Sequence, residues 1–236
     1  MLPTATTLPP PTEFRYERKF FSSFLNKYEV ESVIKLNPAM FSEIYHQRFI
    51  NNIYLDTYGF SSYFDNEDGV SERVKTRIRW YGDLFAPITE PYLELKVKRG
   101  FLGGKLRFPL KPFCLDEDCS LDALQRVFDE SNLPSLLREQ LKSMGCALLN
   151  RYSRKYFESA DHKFRITIDF DLEYFRINNS RNSFTERLAD WQTVILELKY
   201  DQADDDEARC ITNHLPFRLT KSSKYAMGIQ RLHLLD

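Results

Sequence analysis

The segment Arg73-Val-Lys-Thr-Arg-Ile-Arg-Trp-Tyr81 constrains this chain more than any other. A period of two puts Arg73, Lys75, Arg77 and Arg79 on one face of a strand and Val74, Thr76, Ile78 and Trp80 on the other. The next candidate strand repeats the arrangement, with Glu94, Lys96 and Lys98 opposite Leu93, Leu95 and Val97, and a third adds Lys105 and Arg107. Later segments alternate in the same way: Arg165, Thr167 and Asp169 against Phe164, Ile166, Ile168 and Phe170, and Glu197 and Lys199 against Leu196, Leu198 and Tyr200. Like charges facing each other across strands repel, so this pattern asks for an anion between them.

An ordinary half-buried sheet with a solvated charged face also alternates, and alternation alone leaves the two readings open. Two features favour a ligand. The charge is biased to cations with single interspersed glutamates, whereas a solvated face mixes both signs. Several amphipathic helices also need an apolar surface to cover, and the outer wall of a barrel with a polar interior provides one. The whole chain is not basic: 33 Lys+Arg against 34 Asp+Glu in 236 residues give a formal charge of −1. A cationic site is therefore local, and no nucleic-acid partner is expected. The compensating acids are expected in loop clusters, Asp116-Glu117-Asp118 and Asp204 to Glu207.

Residues 1–13 are rich in proline and threonine and read as a disordered tail. A single domain over residues 14–236 follows, with no linker to divide it. A strand at Phe14–Ser22 leads to a helix at Asn26–Leu36 that stops before Pro38, and a second short helix is expected from Pro38 to Gln47. Strands follow at Asn52–Thr57, Arg73–Tyr81, Pro91–Arg99 and Lys105–Leu110, separated by turns at Asp68-Gly69, Gly82-Asp83 and Gly103-Gly104. A helical pair, Ser120–Glu130 and Pro134–Met144, is N-capped by Ser120 and closed by Gly145. Strands at Asn150–Glu158, Lys163–Phe175 and Thr193–Tyr200 precede helices at Asp204–His214 and Ser222–Leu234. This is an α+β chain whose tight turns favour antiparallel pairing.

Other chemistries find little support. Cys114, Cys119, Cys146 and Cys210 form no C-x-x-C pair, and His46, His162, His214 and His233 lack metal-ligand spacing. Gly100, Gly103, Gly104 and Lys105 fail the P-loop pattern, and no G-x-S-x-G occurs. With no apolar span or leader peptide, the chain reads as cytoplasmic, without direct membrane insertion. Tyr54, Asp56 and Tyr58 read as strand-end packing residues, with Asp56 also placed to organise a neighbouring arginine.

The order Glu17-Arg-Lys19, Arg77-Ile-Arg79, Glu94-Leu-Lys96, Tyr152-Ser-Arg154, Arg165-Ile-Thr-Ile-Asp169, Glu197-Leu-Lys199 and Lys221-Ser-Ser-Lys224-Tyr225 resembles the VTC domain. That domain is the polyphosphate polymerase module of the vacuolar transporter chaperone complex, within the triphosphate tunnel metalloenzymes. The resemblance runs from about Phe14 to the C-terminus. It implies an antiparallel eight-stranded β-barrel with a basic lumen and helices on its outside. It also implies a phosphotransferase that moves the ATP γ-phosphate onto polyphosphate or a pyrophosphate primer.

By the same resemblance, Arg77, Arg79, Lys96 and Lys221 are catalytic, and Lys19, Tyr152, Arg154, Arg165, Lys199, Ser223 and Lys224 bind substrate. Glu197 holds Mn2+ or Mg2+, cations that prefer carboxylate and phosphate oxygens. One departure is visible. The wider superfamily carries an N-terminal E-x-E-x-K, and here Arg15 stands at the first glutamate, giving R-x-E-x-K. The missing acid leans toward the polymerase and away from a two-metal triphosphatase, and it leaves the role of Glu17 open. A non-catalytic polyphosphate-binding module is the third reading. The phosphate-sensing region and membrane helices of the eukaryotic complex are absent from the sequence, so any membrane coupling is expected to come from a separate membrane protein.

Overall fold

A computed structural model describes residues 14–100 and 102–235, and the tail expected over residues 1–13 lies outside the described residues. The strands are β1 (Arg15–Ser22), β2 (Ser42–Thr57), β3 (Glu72–Tyr81), β4 (Pro87–Ile88), β5 (Tyr92–Arg99), β6 (Leu102–Pro109), β7 (Phe113–Cys114), β8 (Met144–Glu158), β9 (Arg165–Phe175), β10 (Arg187–Asp190), β11 (Val194–Tyr200) and β12 (Arg218–Leu219). The helices are α1 (Lys27–Lys35), α2 (Ser61–Glu67), α3 (Leu121–Glu130), α4 (Ser135–Leu141), α5 (Asp205–Asn213) and α6 (Lys224–Arg231). Strands β9, β11, β1, β6, β5, β3, β2 and β8 pair antiparallel in that order, and β8 pairs back onto β9 to close a ring. β10 extends the sheet from β9, β12 pairs with β1, and β4 and β7 form a separate ribbon.

The alternation read from the sequence decides which face is which. Ile78, Trp80, Leu93 and Leu95 turn outward and pack under Leu124 and Phe128 of α3 and Leu137 and Leu141 of α4. Ile166, Ile168, Leu196 and Leu198 are covered by Val30 and Ile34 of α1 and Ala208 and Ile211 of α5. These helices remove an apolar barrel wall from water, the dominant favourable term in folding. Asn26 caps α1 in a capping box with Glu29, and Asp205, Asp206 and Glu207 occupy the first turn of α5, where a helix N-terminus favours acids.

α6 packs differently from α1, α3, α4 and α5. Its Tyr225, Ala226 and Ile229 lie against Ile50, Tyr54, Leu148, Tyr152 and Ile195, which share strand parity with the inward-facing Asn52, Arg154 and Glu197. One end of the barrel interior is therefore apolar and filled by α6. A positive φ of 51° at Asp171 shifts the phase of β9, so that Leu172 and Tyr174 join this inner cluster.

Several local expectations are corrected. Residues 42–47 belong to β2 and not to a helix, because pairing with β8 down to Ser42↔Glu158 satisfies their backbone groups across the sheet. The β5–β6 hairpin turns at Gly100, with φ 58°, so Gly103 and Gly104 lie within β6. Gly145 lies in β8; α4 ends earlier, at Leu141. Helix α2 has no counterpart in the sequence reading. No helix among the described residues is long and apolar enough to cross a membrane.

Candidate functional site

Period two delivers the cations of β3 and β5 to the barrel lumen, where carboxylates meet them. Glu94 is fully buried and accepts from Arg77 Nε at 3.1 Å and Nη2 at 2.7 Å. Arg79 Nη1 lies 3.4 Å from the same carboxylate, Lys105 Nζ 3.5 Å and Arg107 Nε 3.8 Å. Arg79 and Arg77 hold Glu94 far below the usual carboxylate range although burial pushes it up. Arg79 is also oriented by donating to Asn52 Oδ1 at 2.9 Å and to the Tyr152 hydroxyl at 3.2 Å.

On the opposite wall, Asp169 is buried beneath Arg154, which donates from Nε at 2.5 Å and Nη2 at 2.6 Å, and Lys224 pairs with the same carboxylate. Glu197 lies 3.4 Å from Lys19 and from Lys199, and 3.8 Å from Arg154. Glu17 takes Lys96 at 3.0 Å and Lys19 at 3.6 Å. The registers Lys19↔Glu197 and Glu17↔Lys199 set opposite charges directly across from each other between β1 and β11. Burial raises Glu17, but Lys96 and the other lysines outweigh it and bring its pKa to about 2.

The compensating acids are therefore inside the lumen, and the expectation that they sit in loop clusters does not hold. Cations still exceed them. Lys75 Nζ donates to Ser223 Oγ at 2.8 Å and to Asn66 Oδ1 at 2.5 Å, with no carboxylate partner among the described residues. Burial, then Lys19 and Lys96, push its pKa down to about 6, and burial also lowers Lys96 to about 8. Thr167 Oγ1 and Asn150 Nδ2 are buried, face the same interior, and have no hydrogen-bond partner among the described residues. A lumen with surplus cations and spare hydrogen-bonding groups is built to take an anion rich in oxygen acceptors.

The residues singled out in the sequence have separate placements. Lys19, Arg77, Arg79, Lys96, Tyr152, Arg154, Glu197, Lys199 and Lys224 converge on the lumen. Ser223 caps α6 and receives Lys75. Lys221 is exposed, within Coulombic reach of Lys98. Arg165 is at the rim, 53% exposed, with Nε 2.8 Å from Glu158. Among the described residues Asp56 pairs with no lumen arginine. Its carboxylate accepts from Ser62 N, Tyr63 N and the Tyr225 hydroxyl, fastening α2 to α6.

Sequence reasoning missed Glu94 and Asp169 as lumen acids, although both were in phase with the cations. Lys75 was also in phase and went unassigned. Asn52 and Asn66 gave no such signal. Gly103 is in β6 because Arg15↔Gly103 sets it beside β1, and a Cβ there would meet the Glu17 carboxylate at 3.5 Å.

The site is thus a cationic, carboxylate-buttressed interior enclosed by an eight-stranded antiparallel barrel. The putative adenylyl cyclase of Hippeastrum, described as having a dominant triphosphatase activity, superposes with a TM-score of 0.53 at 12% identity over 92% of this chain and 96% of its own. The PH1819 protein of Pyrococcus horikoshii OT3 gives 0.49 at 12% identity over 93% and 99%, and a putative adenylate cyclase of Vibrio parahaemolyticus gives 0.49 at 11% over 89% and 96%. At 12% identity the likeness to the Hippeastrum protein is one of fold. The VTC domain family matches residues 12–233, and this chain belongs to that family. No curated protein sequence matches it.

Proposed function

We propose that this chain is an ATP-dependent polyphosphate polymerase. The terminal oxygen of a polyphosphate chain attacks the γ-phosphorus of ATP, the bond from that phosphorus to the β–γ bridging oxygen breaks, and ADP leaves. The observation that carries this reading is the length of the cationic lining, from Arg107 and Lys105 past Arg77, Arg79 and Lys96 to Lys75 and Lys98. It runs over three neighbouring strands, β3, β5 and β6, and holds more cations than carboxylates. Phosphoryl transfer needs positioning and charge neutralisation more than a covalent nucleophile, and such a lining supplies both.

In this reading Arg77, Arg79, Lys96 and Lys221 stabilise charge on the transferring group. Lys19, Tyr152, Arg154, Lys199, Ser223 and Lys224 hold the other phosphate oxygens, and Arg165 meets the chain at the rim. Among the described residues no group of three or more His, Cys, Asp or Glu gathers to hold a metal by itself. Glu197, with Glu17 beside it, offers hard oxygen donors that fit Mg2+ or Mn2+ when phosphate oxygens complete the shell. When bound, such a cation would neutralise phosphate charge and orient the oxygens for in-line transfer.

A triphosphatase is the second reading. It is favoured by the presence of Glu17 in the lumen next to Glu197 and by the activity described for the Hippeastrum protein. The deciding experiment incubates the protein with ATP and Mn2+ or Mg2+, with and without pyrophosphate, and quantifies polyphosphate, ADP and phosphate together. Polymer with matching ADP is the expected result. Free phosphate without polymer assigns a triphosphatase, and tight polyanion binding without turnover assigns a binding module.

A further inference from the structure

The two ends of the cationic interior differ in chemistry. Arg73, Lys75 and Lys98 gather toward the start of β3 and the end of β5, and no aromatic ring packs on any of them among the described residues. At the other end, β3 stops at Tyr81 opposite Ile50 and Gly82 N donates to Phe49 O, so residues 42–48 of β2 overhang as a lip that, among the described residues, pairs with β8 alone. Arg48 sits on this lip with its guanidinium carbon 4.9 Å from the ring centre of Tyr45, 5.6 Å from Tyr156 and 5.9 Å from Tyr81. Tyr45 meets Tyr156 edge-on at 5.6 Å. Tyr45 is 53% and Tyr81 40% exposed, so two of the rings keep a face open to a ligand.

Unlike Arg77, Arg79 and Arg154, Arg48 has no carboxylate partner among the described residues. Rings around a cation add nothing to phosphate binding, because a phosphate needs donors and positive charge. A flat π system gains from both, by stacking on the rings and on the guanidinium plane. Position matters as well: Arg48 is the register partner of Arg154, one cross-strand step of about 5 Å from the arginine that grips Asp169.

From this juxtaposition we infer that the Arg48, Tyr45, Tyr81 and Tyr156 lip is the nucleobase-binding platform for a nucleoside triphosphate whose phosphates lie in the lumen. The inference rests on the nucleotide reading proposed above and adds the residues that distinguish a nucleotide from an inorganic phosphate chain.

The test is calorimetric titration, at fixed salt and without metal, of ATP and of inorganic tripolyphosphate into wild type, Tyr81→Leu, Tyr45→Leu and the ring-retaining Tyr81→Phe. These substitutions leave the lumen charge untouched, and two independent positions guard against one variant failing to fold. The expected result is ATP affinity about 5- to 160-fold weaker in the leucine variants, the range for loss of one base–aromatic stack. Tripolyphosphate affinity should be unchanged, and Tyr81→Phe should retain ATP binding. Equal losses for both ligands, or no loss for ATP, overturn the platform while leaving the phosphate site standing. If wild type binds neither ligand, the nucleotide reading and this inference fall together.

Discussion

Lys75 Nζ donates to Ser223 Oγ across 2.8 Å, tying the strand with the arginine row to the turn that starts α6. Burial and the neighbouring Lys19 and Lys96 lower this lysine from its ordinary 10.5 to about 6. Between those values the unfolded chain carries a proton that the folded chain lacks, so stability rises with pH across the window and is lowest below it. Lys75→Met should flatten that rise. Urea midpoints of the two proteins from pH 6 to 9 check it, and parallel curves would sink the idea.

The same lysine should take up a proton when a polyanion enters, because negative charge restores its ordinary basicity. At pH 8, tripolyphosphate binding to wild type should absorb more protons than binding to Lys75→Met. Calorimetry in two buffers of different ionisation enthalpy measures the difference.

Glu94 is the shared counter-charge of Arg77 and Arg79, with Lys105 and Arg107 behind them. Glu94→Gln should destabilise the ligand-free protein by about 3 kcal/mol, since it leaves buried guanidinium groups uncompensated. Arg77→Ala should cost less, because Glu94 keeps its other cations. Added tripolyphosphate should recover part of the Glu94→Gln loss, read as a larger rise in Tm than in wild type.

Glu197→Ala should abolish metal-dependent turnover. Without metal, the same variant should bind tripolyphosphate more tightly, because Lys19 and Lys199 lose the carboxylate that neutralises them. Opposite changes in the two assays separate this role from a loss of fold, which would depress both.

Gly228 packs α6 against the barrel interior so closely that a Cβ would lie 2.3 Å from Leu148 Cδ2 and 2.7 Å from Tyr174 Cδ1. Gly228→Ala should cost about 1–3 kcal/mol through overpacking. It should also lower turnover at 25 °C, because Ser223 and Lys224 begin the displaced helix. Denaturant titration and single-turnover rates measure the two effects separately.

The lumen cations were legible because a period of two is a local property: Arg77, Arg79 and Lys96 face inward once their neighbours Ile78, Trp80 and Leu95 face a helix layer. The motif order across the strands also carried the family. The helix expected at residues 38–47 failed because residues 42–47 take their structure from β8, about 100 positions away, as the register Ser42↔Glu158 shows.

Residue order by itself determined which side chains share a face, the antiparallel class and the cationic character of one surface. Only the tertiary structure decided that this surface is an interior, that Glu17, Glu94, Asp169 and Glu197 offset part of its charge from within, and that among the described residues Lys75 is left without an acid. Strand parity is set by backbone geometry between adjacent residues, whereas charge pairing depends on register and closure between strands far apart in the chain.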